Sequence, residues 1–180
     1  EMVTALKRPY TATLDHFLYP DDDPIVSKAR RQLETQKNER RHEVDWTRSL
    51  MRNNKAREDG NLGDQRPLTR WDDADNIHPP DDADWRWWAT QPNRVKDVAE
   101  VCFLRCVAQG QDPRHKPMYV NLSQNPERND SSKQPPGLCP CLTPNEIPLI
   151  TCRGGPIVAE ERLKLQGLPV DSLTFTRETQ

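Results

Sequence analysis

The sequence predicts an α+β fold: a single small, loop-rich unit with a few helices and short strands, marginal in stability on its own. Three observations carry this. The chain has 180 residues, room for one ordinary domain. Only 34 of them are Leu, Ile, Val or Phe, close to the border below which a chain cannot bury enough apolar surface. The apolar spacing is helical in some stretches and strand-like in others, and the intervals between them hold many of the 17 prolines. Disorder requires high net charge as well as low hydrophobicity, and the net charge here is only −2, so the composition fits a loop-rich or partner-dependent piece.

Residues 1–20 mix Leu6, Tyr10, Leu14, Phe17, Leu18 and Tyr19 with polar spacers and read as an extended segment, stopped by a turn at Pro20 to Pro24. Asp23 followed by Pro24 is a helix start: an N-cap, then the first position, where a missing N–H costs nothing. No Gly or Pro follows until Gly60, and a helix is predicted over about 24–57. Its sparse apolar residues (Ile25, Val26, Leu33, Val44, Trp46, Leu50, Met51) allow a narrow packing stripe, so one surface helix or two is expected. Residues 60–92 hold Gly63, Pro67, Pro79, Pro80 and acidic clusters around Trp71, Trp85, Trp87 and Trp88, and read as a long loop. The tryptophans are expected to anchor irregular backbone to the core; base stacking or a partner surface is the functional alternative.

The clearest helix is predicted over 94–109, where Val95, Val98, Ala99, Cys102, Cys106 and Val107 recur at three- and four-residue spacing before Gly110. Tyr119, Val120 and Leu122 suggest a short strand, and residues 126–137 a loop. In the tail, Ile147, Leu149 and Ile150 form a second short strand and Gly154 and Gly155 turn the chain. AEERLKLQ then makes a brief helix that ends at Gly167 and is stopped by Leu168 and Pro169. The face of that helix is mixed, so it is expected to need a larger body to dock on.

The charge balance, 26 basic against 28 acidic residues, argues against an autonomous sequence-independent nucleic-acid binder, which carries a positive excess to displace counterions. No apolar run approaches the roughly 20 residues that span a bilayer, and EMVTALKRPY has no signal-peptide core. The odd cysteine set, Cys102, Cys106, Cys139, Cys141 and Cys152, reads as reduced thiols without zinc-finger spacing, with Cys102 and Cys106 buried as small hydrophobes. His16, His42, His78 and His115 show no metal or general-base spacing, and Ser123 and Ser131 no hydrolase triad. No metal site and no catalytic residue is assigned.

At LKLQGLP the tail resembles the ninth conserved motif of the DNA cytosine-5 methyltransferases. In that family an Arg and a Leu-Thr-Pro-Arg-Glu-like start lead into a helix ending Arg-Leu-Gln-Gly-Phe-Pro-Asp. Here Glu161, Leu165, Gln166, Gly167 and Pro169 fall in register, and Arg153 lies close to the motif arginine. Val158, Ala159 and Glu160 stand in place of Thr-Pro-Arg. Upstream, Asn121-Leu-Ser-Gln-Asn, then Cys139-Pro-Cys-Leu-Thr-Pro and a strand, resembles the link from recognition region to motif in divergent members.

The resemblance implies that residues 1–138 occupy the place of the target-recognition region and 139–180 that of a strand-turn-helix motif fixing its orientation on a catalytic body. DNA is then the partner, reached through the parent protein, together with the catalytic domain of that parent; a nuclear or otherwise intracellular location follows. Candidate phosphate contacts are Arg114, His115, Lys116 and Arg128. S-adenosylmethionine is expected only in a full-length parent, because the chain lacks the family's Phe-x-Gly-x-Gly loop. It also lacks the family's nucleophile and base-binding Glu: Pro140-Cys141 lies after the recognition stretch and is followed by Leu142. The chain is thus not expected to be active alone. The alternative is a non-enzymatic protein-interaction module, using the helix over 24–57 and the tryptophan loop, or an inactive relic.

Overall fold

The computed structural model describes residues 12–35, 47–66, 85–128 and 130–172. They form α1 (Pro24–Thr35), α2 (Thr47–Gly60), α3 (Trp85–Thr90), α4 (Asn93–Ala108), β1 (Tyr119–Asn121), β2 (Pro148–Ile150), β3 (Gly155–Pro156) and α5 (Ala159–Leu165). Short 3₁₀ turns occur at Leu14–His16, Ser131–Lys133 and Val170–Ser172. This is the α+β, loop-rich unit expected from the sequence. No helix among the described residues is long and apolar enough to cross a membrane.

The sheet is antiparallel, in the order β1-β2-β3, with Val120 opposite Leu149 and Leu149 opposite Pro156. Val120 and Leu149 face a core built on α4 from Val95, Val98, Ala99, Cys102 and Cys106, closed by Met118, Leu122, Trp87 and Trp88. Tyr119 and Ile150, one residue out of phase, join Leu14 and Ile157 in a second cluster on the other face. Each large apolar side chain fully removed from water in these layers contributes about 1.5–3 kcal/mol.

The expected helix near 94–109 and the strands near 119–122 and 147–150 are observed, with Cys102 and Cys106 buried. Three expectations are corrected. The helical stretch expected to end near 57 runs on to Gly60; helix is observed over Pro24–Thr35 and Thr47–Gly60, and residues 36–46 lie outside the described residues. In the expected loop over 60–92, Trp85–Thr90 is helical, while residues 67–84, with Trp71, lie outside the described residues. Trp87 and Trp88 pack edge to face with ring centroids 4.6 Å apart and supply the apolar contact that makes so short a helix worthwhile. Third, the residues before Pro20 include a 3₁₀ turn, tied to the far end of the chain by a hydrogen bond from Leu14 N–H to Gly137 O at 2.6 Å. Residues 1–11 lie outside the described residues. Gly137 needs its positive φ of 80°, which strains any side chain, although a Cβ there would sit only in ordinary contact with Thr13.

Candidate functional site

The most constrained polar arrangement among the described residues is centred on Arg153. Gly154, at φ 64°, turns the backbone out of β2 and leaves Arg153 pointing inward, only 4% exposed. Eight residues later, Glu161 lies in the first turn of α5 and is wholly buried. The two meet fork to fork: Arg153 Nη1 donates to Glu161 Oε2 at 2.9 Å and Nη2 to Oε1 at 2.8 Å.

Each carboxylate oxygen then takes a second donor, Oε2 from Val158 N–H at 2.9 Å and Oε1 from Tyr19 N–H at 2.8 Å. The first is the glutamate half of a capping box. Val158 stands at the N-cap with extended backbone but has no oxygen to return the favour. Arg153 also donates to Tyr19 O at 2.9 Å and, through Nε, to Asp21 Oδ1 at 2.7 Å. Burial by itself would lower the pKa of Arg153, but the hydrogen bonds and charge of Glu161, helped by Asp21, outweigh it and leave it raised.

The expected need of α5 for a larger body is met within the chain. Residues 19–21 close over Arg153 and Glu161 from more than a hundred positions away, and Leu165 packs on the cluster formed by Leu14, Tyr119, Ile150 and Ile157. Lys164 lies 3.7 Å from the centre of the Tyr19 ring, a cation–π contact over the same joint. The other residues expected in the motif, Gln166, Gly167 and Pro169, are exposed; Gly167, at φ 79°, is the left-handed residue that ends α5.

Two further buried polar networks were missed from the sequence. In the first, α2 docks on α4 through charge. Arg57 donates to Asp97 at 2.7 Å, Glu100 at 3.0 Å and Gln65 O at 3.1 Å; Asn53 donates to Asp97 at 2.8 Å, and Arg66 to Asp97 at 3.3 Å. The expected solvent-facing helix thus buries Asn53 and Arg57, and a polar depression of about 300 Å³ opens beside them, lined in part by Asn54, Asp64 and Arg66. In the second, Glu146 accepts from Tyr119 Oη, from Asn121 at 3.0 Å and from Arg162 at 3.3 Å. Burial first, and then the Glu146 hydrogen bond and charge, push the Tyr119 phenol well above its usual range.

The candidate phosphate contacts are all exposed. Arg114, His115 and Lys116 share the turn after α4, where Asp112 Oδ1 accepts from Arg114 N–H at 2.8 Å and Asp112 O from His115 N–H at 3.2 Å. Arg128 sits in a separate turn begun by Asn125, whose O accepts from Arg128 N–H at 3.0 Å. Cys141 is exposed, and half-buried Cys139 has its thiol pushed up to about 11, by burial first and then by Glu146. Among the described residues no group of three or more His, Cys, Asp or Glu side chains is placed to hold a metal ion.

Comparison with known proteins shows the family: the chain is homologous, along its whole length, to a segment of DNA cytosine-5 methyltransferases. The relatives are two fungal proteins of the DMT5 type. DNA (cytosine-5-)-methyltransferase DMT5 of Cryptococcus neoformans var. grubii is 38% identical over 187 residues, which cover 100% of this chain and 8% of that protein. Its namesake in Verticillium dahliae is 32% identical over 127 residues, 70% of this chain and 5% of that one. The chain therefore spans less than a tenth of the length of either relative. No family model matches it.

Proposed function

We propose that this chain serves as a DNA target-recognition segment of a DMT5-type cytosine-5 methyltransferase, joined to the motif that sets its orientation on the catalytic body, and does not transfer methyl groups itself. The observation that carries this reading is the joint between residues 19–21, Arg153 and Glu161, in which Glu161, in register with the family motif, and Arg153, close to the motif arginine, clamp residues 19–21 onto α5. A rigid joint of this kind suits a segment whose task is to hold a reading surface at a fixed angle. S-adenosylmethionine, the nucleophile and the nuclear setting belong, in this reading, to the whole enzyme. Pro140-Cys141 supplies no nucleophile, since Leu142 follows where the family pattern requires Gln or Ser.

The test is equilibrium binding of the 180-residue chain to a labelled DNA duplex across a salt series, alongside a methyl-transfer assay with S-adenosylmethionine. Affinity that falls linearly with salt on a log–log plot, without methyl transfer, supports the reading; salt-independent or absent binding overturns its DNA-reading part. One observation favours a second reading, the protein-interaction module: Leu50 and Met51 on α2 are 50% and 66% exposed. A stoichiometric protein partner that co-purifies without nucleic acid, and is lost in Met51→Lys, would favour it.

A further inference from the structure

Arg48, Arg52 and Lys55 lie at i, i+4 and i+7 on α2, within about 60° of one another around a helix of 3.6 residues per turn. They occupy the edge of the helix beside the buried face formed by Asn53, Ala56 and Arg57, so the network that docks α2 on α4 also fixes where these cations stand. The turn carrying Glu127 and Arg128 comes up to the same edge. Lys55 Nζ is 3.5 Å from Glu127 Oε1, and that turn is itself pinned by Arg105 Nη1 donating to Pro126 O at 2.7 Å. Arg48, Lys55 and Arg128 are exposed.

Glu127 reports the field at this place. Its carboxyl is held below its ordinary value, by the Asn125 hydrogen bond first and then by the charges of Lys55 and Arg52. From Arg48 to Lys55 the helix rises about 10.5 Å, the distance over which one strand of B-DNA presents roughly three phosphates. The acidic pair Glu58 and Asp59 limits the patch on its C-terminal side.

We propose that the basic edge of α2, Arg48, Arg52 and Lys55, with Arg128 beside it, is a track for the phosphate backbone of duplex DNA, with Glu127 occupying it as an internal competitor. This rests on the DNA-binding reading above and assigns to it a surface distinct from the Arg114 to Lys116 turn. Phosphate entering the track takes Lys55 from Glu127, so the carboxylate opposes binding. Such contacts position the segment and carry no base specificity.

The experiment measures the salt dependence of binding to a mixed-sequence 20-base-pair duplex for four proteins: the unaltered chain, Arg48→Gln/Arg52→Gln/Lys55→Gln, Glu127→Gln, and Arg114→Gln/Lys116→Gln. The α2 variant is expected to lower the slope of log K against log salt by about two to three and to weaken binding at least about tenfold at 0.1 M salt. Glu127→Gln is expected to tighten binding several-fold, a gain that a damaged fold does not produce. Equal slopes for the α2 variant and the unaltered chain, with both binding DNA, overturn this inference and leave the DNA reading standing. No duplex binding by the unaltered chain overturns both.

Discussion

Replacing Glu161 by Gln changes one atom in the most fully bonded side chain described, and its cost can be worked out from the geometry. Four donors converge on the carboxylate, two per oxygen: Arg153 Nη2 and Tyr19 N–H on Oε1, Arg153 Nη1 and Val158 N–H on Oε2. An amide offers one accepting oxygen, and its NH₂ turns two donors toward two donors, so two of the four bonds are lost in either orientation. Arg153 keeps its charge at 4% exposure with Asp21 as its remaining ionic partner, and Asp21 has 61% of its side chain exposed. Breaking a buried, hydrogen-bonded pair from one side costs about 3–5 kcal/mol. For a chain of this size that is a fall in Tm of roughly 10–15 °C. Asp21→Asn, at the solvent end, is expected to cost no more than about 1 kcal/mol. Arg153→Lys, which keeps the charge but loses the fork, falls between the two. Thermal unfolding followed by circular dichroism gives the ranking. A Glu161→Gln chain melting within about 2 °C of the unaltered one would refute the reasoning.

Arg57→Met leaves Asp97 and Glu100 buried with one cation fewer and is expected to cost about 3–5 kcal/mol in urea unfolding. Adding Asp97→Asn and Glu100→Gln to that variant is expected to recover part of the loss, since neutral partners need no counter-charge. The Cys139 thiol, ordinarily at 9.0 and raised here to about 11, favours the protonated folded state. Its contribution is therefore complete below pH 9, declines above it and is gone once pH passes 11, a loss of roughly 1–2 kcal/mol after allowance for partial exposure; the raised Tyr119 phenol adds to the decline above pH 10. The urea midpoint is expected to fall over that range, and a flat profile contradicts the assignment. In native alkylation with iodoacetamide at pH 8, exposed Cys141 is expected to react before Cys139, with buried Cys102 and Cys106 protected; mass spectrometry reads the order.

Residue spacing made α4 legible because its apolar positions follow the helical period, and Gly167 marked the end of α5 because an αL cap favours glycine. The same reasoning failed at Arg57, Asp97 and Glu100. A buried ion pair and a solvated one use the same letters, and a periodicity argument assigns both to water. The available signal was Asp97 and Glu100 standing among Val95, Val98, Ala99 and Val101 on a helix buried over most of its surface. The α3 turn was missed because six residues are too few to show a period, and β3 because Gly155-Pro156 has no strand propensity and exists only as the partner of β2. Arg153 and Glu161 were singled out by their likeness to a motif, but not their partners Tyr19 and Asp21, because nothing local to either segment announces a contact across 132 positions.

The central claim is that this segment handles DNA while the chemistry lies elsewhere in the enzyme. It is tested most directly in a full-length DMT5-type methyltransferase in which both candidate phosphate surfaces are neutralised, Arg48→Gln, Arg52→Gln and Lys55→Gln together with Arg114→Gln, Lys116→Gln and Arg128→Gln at the equivalent positions, by steady-state methylation with DNA and S-adenosylmethionine varied separately. A KM for DNA raised about tenfold or more, with the KM for S-adenosylmethionine unchanged, is the expected result. An unchanged KM for DNA with a raised KM for S-adenosylmethionine would contradict the account.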